Sequence, residues 1–250
     1  MGAGGHGAGD VDTGPAWFTT THWSVVLTAG DSASSLADEA LEKLCRTYWY
    51  PLYVYLRRRG YAVEDAQDFT QGFLCQLLGR HAFARVDPAK GKFRSFLLAG
   101  LNYFLADQHD RATAQKRGGG RMILSFDAQT AEERYRLEPV DDFSPDKAFD
   151  RQWALTVLNQ VLARLEQEFC EKDKGELFQH LQRFLVAGMD EERYADVAQE
   201  VGMTTEAFKK AVQRLRHRYY ELFREEIAQT LADPAGVEDE LRHLCAVISA

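Results

Sequence analysis

Apolar residues recur every three or four positions over most of this 250-residue chain, and that spacing limits its fold more than any other feature. Each such stretch would form an α-helix with one apolar stripe. One example runs through Val157, Val161 and Leu165, and it begins at Ser144-Pro145, a cap followed by a first-turn proline. No segment alternates with the period of two that a half-buried strand requires. The sequence therefore predicts an all-α fold.

The helical pattern is interrupted between residues 126 and 150, where the chain is rich in acids and contains two prolines. A chain of this length with 45% apolar residues can bury one large core or two small ones. We expect two small helical domains joined by an acidic linker, followed by an extension whose short amphipathic helix binds a regulator or packs on the second domain. The expected segments are a disordered tail (1–16), a first domain (17–122), the linker (123–145), a second domain (146–228) and the C-terminal extension (229–250).

The composition also argues against several kinds of site and location. No apolar run reaches the roughly 18 residues that span a bilayer, and the amino terminus lacks a signal-peptide pattern, so we expect a cytoplasmic protein without a membrane partner. The histidines are scattered, and the pair closest to a metal site is His243 with Cys245. We therefore expect no metal site and no cofactor. The cysteines form no CxxC pair, which favours buried, reduced thiols at Cys45, Cys75, Cys170 and Cys245.

The stretch YADVAQEVGMTTEAFKKAVQRL, residues 194–215, has the pattern of two helices joined by a tight turn. Gly202 can adopt the left-handed backbone of such a turn, and Thr204 or Thr205 can cap the helix that follows. Ala198 is small enough to let the two helices cross closely. The pattern predicts that the second domain ends in a helix-turn-helix.

The second helix of this motif is basic, although the whole chain is acidic with a formal net charge of −8. Its basic residues and a glutamine face outward, because the predicted buried stripe consists of Phe208, Ala211, Val212, Leu215 and Tyr219. Lysine and arginine suit phosphates and guanine edges, and glutamine can pair with adenine in a major groove. The alternative is a solvated helix whose charges only maintain solubility. The residues that we expect to contact duplex DNA are Thr205, Lys209, Lys210, Gln213, Arg214, Arg216 and His217.

A second basic surplus lies in the first half of the chain, between Arg80 and Arg121. It contains nine basic residues against three acids, a balance that suits a phosphate backbone. Among its aromatic residues, Tyr103 is the one that we expect to be exposed and able to stack on a base. The spacing favours packing roles for Phe83, Phe93, Phe96 and Phe104.

Three stretches, taken in order, resemble the sigma-70 family of RNA polymerase initiation factors, in particular its extracytoplasmic-function group. VEDAQDFTQGFLCQLL is similar to the family helix A-E-D-(L/F)-x-Q-x-x-F, and KFRSFLLAGLNYFLADQHDRATAQKRGGG to its F-R-x-W-L helix and the basic segment after it. YADVAQEVGMTTEAFKKAVQRLRHR resembles the family's helix-turn-helix. The resemblance covers about residues 17–228. The chain departs from the family at Phe96, where tryptophan is usual, and at Asp107 and Asp110, which dilute the usual run of arginines.

The resemblance implies a separate role for each domain. The first would bind the clamp helices of core RNA polymerase and capture the melted minus-ten strand of promoter DNA, and the second would recognise the upstream minus-thirty-five element. It implies no enzyme activity, since the polymerase carries out catalysis. It assigns polymerase binding to Asp65, Asp68 and Gln71. It assigns minus-ten contacts to Lys92, Arg94, Tyr103, Arg111, Lys116 and Arg117.

Two other functions fit part of the pattern. A stand-alone helix-turn-helix regulator would bind an operator without polymerase, but the first half shows neither a heptad seam nor a recognisable pocket motif. A helical adaptor would leave both basic surpluses unexplained. An anti-sigma or other regulatory protein is a further candidate partner.

The acids of the expected linker have two open interpretations. They would lie in the polymerase channel that later carries nascent RNA, as the resemblance implies, or they would keep a disordered tether soluble. The acids concerned are Glu132, Glu133, Glu138, Asp141 and Asp142.

Overall fold

The structure, a computed structural model, describes residues 35–78, 92–114, 128–138, 142–185, 191–231 and 233–249. Within these ranges all regular structure is helical, which confirms the all-α prediction for the described part of the chain. The expected tail at 1–16 lies outside them. The helices of the described part are α1 (Ser35–Arg58), α2 (Val63–Leu78), α3 (Phe93–Ala114), α4 (Ala128–Arg136), α5 (Pro145–Cys170), α6 (Gly175–Leu181), α7 (Glu191–Glu200), α8 (Thr205–Ala228) and α9 (Val237–Ser249), with short 3-10 turns at Gln182–Phe184 and Pro234–Gly236.

The centre of the fold is α1, in which every residue from 47 to 56 is buried. A helix that is covered all round must lie between other elements, and α1 packs against both α2 and α5. Pro51 lies inside α1 without ending it. The side chains that fill this part of the core are mostly aromatic: Tyr48, Trp49, Tyr50, Tyr53 and Tyr55.

Both halves of the chain contribute to one hydrophobic core. Trp153 of α5 is fully buried and stacks on Tyr48 of α1 with 6.2 Å between ring centroids, and Phe93 of α3 meets Tyr48 edge to face at 5.4 Å. Lys43 of α1 pairs with the buried carboxylate of Glu226 on α8 at 3.0 Å. The two expected domains therefore pack against each other in this structure, and their boundaries stay a prediction.

The expected acidic linker contains α4, and two linker carboxylates, one in α4 and one just after it, bind to α1. Glu132 accepts hydrogen bonds from the Tyr53 hydroxyl, at 2.5 Å, and from Arg57, while Glu138 accepts one from the Tyr50 hydroxyl. Burial raises the pKa of Glu138. Burial acts on Glu132 in the same direction, but its hydrogen bonds and the nearby arginine charges hold its pKa below the ordinary value. The described part of the linker is thus a docked helix and not a free tether; Asp141 lies outside the described residues.

The C-terminal extension forms α9, which packs against α5 and α8 within the expected second domain. Its apolar side chains are spaced three or four residues apart and cover one face of the helix. The residues of α9 that this packing buries are Val237, Glu240, Leu241, Leu244 and Val247.

The cysteines differ in burial. Burial raises the pKa of the Cys45 thiol to about 11, and Cys75 is half-buried. The expectation of buried thiols is wrong for Cys170, which ends α5, and for Cys245, which lies off the buried face of α9; both are exposed. The described residues contain no group of three side chains that could hold a metal ion. None of the described helices combines the length and the apolar character needed to cross a membrane.

Candidate nucleic-acid interface

The turn between α7 and α8 has the local geometry that its residues predict. Gly202 adopts a φ of +67°, and the Met203 amide donates to the Ala198 carbonyl at 2.8 Å, which closes α7. Thr204, not Thr205, caps α8, because its backbone is extended and its hydroxyl accepts from the Ala207 amide at 3.2 Å. Two helices therefore meet through a short, capped turn.

The angle between these two helices is held by a small aromatic cluster. Phe208 of α8 is fully buried and meets Phe184 edge to face, with ring centroids 5.2 Å apart, and Tyr194 of α7 lies 4.6 Å from the same Phe184 ring. Ala198 of α7 is also buried, as its small size predicts. The predicted stripe of α8 is buried at Phe208, Ala211, Val212 and Leu215, and Tyr219 is half-buried.

The opposite side of α8 carries the positive charge. Lys210, Gln213, Arg214 and His217 are exposed, and Thr205 is half-buried. Gln213 and Arg214 follow Lys210 by three and four residues, so these three side chains share one side of the helix. We name Lys210, Gln213 and Arg214 the α8 basic face. The remaining predicted residues of this side are Lys209, which is half-buried and pairs with Glu206 at 3.8 Å, and His217, which lies 3.2 Å from Glu221.

Two other arginines of α8 donate hydrogen bonds to neighbouring parts of the protein. Arg216 is half-buried, and its Nε donates to the Phe184 carbonyl at 2.9 Å, so part of its guanidinium is bound within the protein. Arg218 donates two hydrogen bonds to Glu168 of α5, at 3.1 and 2.7 Å. These arginines hold α8 against its neighbours instead of adding to the α8 basic face.

At the start of α3, the two predicted nucleic-acid contacts are already paired with carboxylates. Arg94 is only 5% exposed; its Nε donates to Asp150 at 2.7 Å, and its guanidinium also pairs with Glu240. Lys92 lies 2.5 Å from a carboxylate oxygen of Glu240. Burial lowers the pKa of Lys92, and the nearby charge of Arg94 lowers it further. The expectation of an open basic surface is therefore wrong for Arg94 in this conformation, because carboxylates far along the chain cover it.

The rest of α3 offers an exposed aromatic ring. Tyr103 is 77% exposed, whereas Phe93 and Phe104 are buried and Phe96 is half-buried, as their spacing predicts. Arg111 belongs to the last turns of α3. Phe83, Lys116 and Arg117 lie outside the described residues.

The predicted polymerase-binding residues lie on α2. Its core side is formed by Ala66, Phe73 and Leu77, which are buried. Asp65 and Asp68 are exposed, and Gln71 is half-buried. The structure thus brings the two carboxylates together on one surface.

Sequence reasoning missed Asp150, Glu226 and Glu240, three carboxylates that pair with basic residues of other elements. The sequence does contain an indication for Glu240. It follows Val237 by three residues and precedes Leu244 by four, so it lies on the apolar stripe of α9. A charged residue on such a stripe is almost never buried unless it is paired. No protein-family model, no curated protein and no solved structure matches the chain.

Proposed function

We propose that the protein is a sigma factor of the extracytoplasmic-function type, which binds core RNA polymerase and directs it to specific promoters. The observation that carries the proposal is the α8 basic face, which is exposed on a helix that follows a capped glycine turn. An acidic chain that collects exposed positive charge on one such helix presents it to a polyanion. The resemblance of three ordered stretches to this family supplies the polymerase as partner.

In this proposal α7, the turn and α8 form a helix-turn-helix whose second helix enters the major groove of the upstream promoter element. Lys210 and Arg214 would contact phosphates or guanine edges, and Gln213 would contact a base edge. Thr205 and Lys209 lie at the start of α8, the end that approaches the bases in this motif. His217 lies farther along the helix, where it would face the phosphate backbone.

The first half would bind polymerase through α2 and the melted strand through α3. Asp65 and Asp68 form an exposed acidic pair, which suits a basic surface on a protein partner. Tyr103 supplies an exposed ring on which a single-stranded base can stack. Its basic neighbours in the sequence would contact phosphates: Arg111, Lys116 and Arg117.

Reversing the charge on α2 tests the polymerase part of the proposal. Asp65→Arg with Asp68→Arg should leave helix content and thermal stability close to the wild type, since both side chains are exposed, but should abolish binding to core polymerase in a pull-down. Glu171→Arg with Glu176→Arg makes the same charge change on another exposed surface and should bind normally. An affinity of the α2 variant within a few-fold of the wild type would contradict polymerase binding by α2 and favour the stand-alone regulator.

Substitutions on α8 test the DNA part. Gln213→Ala should change base preference in a promoter selection, while Lys210→Ala should weaken binding to all sequences and reduce the salt slope by about 1. Lys147→Ala removes an exposed lysine from α5 and serves as the control. Promoter-dependent transcription that is equal in all three variants would rule out the α8 basic face as the DNA contact.

A further inference from the structure

A buried cluster of charges lies where α3, α5 and α9 meet. Glu240 of α9 is fully buried, and its carboxylate pairs with Lys92 and Arg94 at the start of α3. Arg94 also binds Asp150 of α5, and the second oxygen of Asp150 lies 2.9 Å from Nε2 of His243 on α9. Two side chains of one helix therefore complete a cluster whose basic members come from the other half of the chain.

This cluster depends on α9 being in place. A buried carboxylate or guanidinium is tolerated only when it is paired, so neither Glu240 nor Arg94 can lose its partner and stay buried at low cost. The contact between α9 and the start of α3 therefore favours two arrangements. In one, α9 is docked and the charges are paired; in the other, α9 is displaced and the basic residues are open to water. Intermediate positions leave buried charges unpaired.

Among the described residues, contacts outside the cluster also hold α9, through its apolar stripe and through an exposed ion pair. The apolar stripe of α9 packs on α5 and α8. An exposed ion pair joins Arg224 of α8 to Glu238 at 2.8 Å, and exposed pairs contribute little. The backbone also connects the two halves at this point, since the Phe93 amide donates to the Thr230 carbonyl at 3.1 Å.

A carboxylate that pairs with a lysine and an arginine occupies the place that a phosphate would take, because both anions accept the same charge-assisted hydrogen bonds. Once α9 is displaced, both Lys92 and Arg94 lose Glu240, while Arg94 keeps its contacts with Asp150 and the Trp153 ring. The two side chains then form a cationic site at the start of the helix that carries the exposed Tyr103. Phosphate contacts beside a stacking ring are what single-stranded nucleic acid requires.

We propose that α9 is an autoinhibitory latch, in which Glu240 occupies the phosphate site of Lys92 and Arg94 and keeps the two halves of the chain closed. This proposal rests on the proposed function only where it identifies the nucleic acid as a melted promoter strand. Displacement of α9, by polymerase or by a regulator, would open this site.

Neutralising Glu240 tests the latch. Glu240→Gln keeps the shape of the side chain and removes its charge, and Glu171→Gln makes the same change at an exposed position outside α9 and the cluster. Hydrogen exchange of residues 237–249 measures undocking, and fluorescence anisotropy with a labelled single-stranded oligonucleotide at fixed salt measures binding. Because apparent affinity rises in proportion to the open fraction, we expect Glu240→Gln to accelerate exchange and tighten binding by about tenfold each, with no change in Glu171→Gln.

Two further variants make the test specific. Lys92→Ala in the Glu240→Gln background should abolish most of the gain in affinity while exchange in α9 stays fast. Arg224→Ala loosens α9 from its exposed side without touching the buried cluster, so it gives a smaller increase in both measurements even if Glu240→Gln fails to fold.

Failure of the latch and failure of the sigma-factor proposal give different results. Equal oligonucleotide affinity in the wild type and Glu240→Gln, with faster exchange in α9 and normal polymerase binding, overturns the latch alone. Absence of polymerase binding in every variant, with the tenfold gain in oligonucleotide affinity intact, supports the latch and overturns the sigma-factor proposal.

Discussion

Trp153 offers the strongest test of whether the two halves of the chain share one core. Its indole is fully buried, stacks on Tyr48 of α1 and lies under the Arg94 guanidinium, whose central carbon is 5.4 Å from the ring. Truncating a buried tryptophan to alanine costs about 3–5 kcal/mol, and the loss of an aromatic pair belongs to the upper part of that range. Trp153→Ala should therefore destabilise both halves together.

The expected size of the effect can be measured directly. For a chain of 150–250 residues, each kcal/mol lowers the melting temperature by roughly 2–4 °C, so Trp153→Ala should melt about 6–20 °C below the wild type. Urea denaturation followed by circular dichroism gives the free energy of unfolding, and hydrogen exchange assigns the change to segments. We expect one transition, with protection falling in α1 and α5 alike. If the alanine variant does not fold, Trp153→Phe provides a milder change of roughly 1–3 kcal/mol.

The control is Tyr103→Ala, which removes an aromatic ring that is 77% exposed and should change stability by less than about 0.5 kcal/mol. Two separate unfolding transitions in Trp153→Ala, with α1 keeping its wild-type protection while α5 loses it, would refute the shared core. The halves would then be independent domains that merely touch.

Three further predictions concern the second half of the chain. Hydrogen bonds from Arg218 hold the pKa of Glu168 below its ordinary value of 4.5, so this pair stabilises the protein above that pH and loses its effect as the pH falls through the lowered pKa. Glu168→Gln should therefore cost about 1 kcal/mol at pH 7 in urea denaturation, and less as the pH approaches 3. Gly202→Ala should cost about 1–2 kcal/mol, because alanine is strained at a φ of +67° although its Cβ would meet no atom within 4 Å. Thr204→Ala should cost about 1 kcal/mol by removing the cap of α8.

Each of these predictions has an outcome that contradicts it. A destabilisation in Glu168→Gln that is the same at pH 7 and pH 3 would mean that packing, not charge, accounts for the effect. Gly202→Ala with wild-type stability would contradict the left-handed turn. Thr205→Ala is the matched control for the cap, and an equal loss in both threonine variants would contradict the assignment of the cap to Thr204.

A residue of the candidate site could be predicted when its partners are close in the sequence, and not when they are far away. Gly202 and the buried stripe of α8 follow from neighbours within a few positions, and the structure has them as predicted. Arg94 was assigned a nucleic-acid contact through the family resemblance, and Arg216 was expected to face outward because it lies off the predicted buried stripe. Their partners, Glu240 and the Phe184 carbonyl, come from other elements. A local count of charges contains no information about such partners.

The acidic linker shows the same limit on a larger scale. Its composition suggested a polar tether, since residues 128–136 lack a continuous apolar stripe. Glu132 of the helix there and Glu138 just after it accept hydrogen bonds from Tyr53 and Tyr50, two tyrosines of the buried aromatic segment of α1. Tyrosine buries its ring and keeps a polar tip that needs a partner. The acids of the linker supply that partner, which only the folded arrangement reveals.

The sequence by itself determined the helices, the glycine turn between α7 and α8 and the positive charge on α8, because helical spacing, backbone freedom and side-chain charge act over a few residues. Only the tertiary structure decided which charges stay at the surface. Glu240 is 146 positions from Arg94, and its burial follows from the docking of α9 on α5 and α8. Burial lowers the effective dielectric around such a pair and makes pairing obligatory, so the availability of each basic residue depends on how the helices pack.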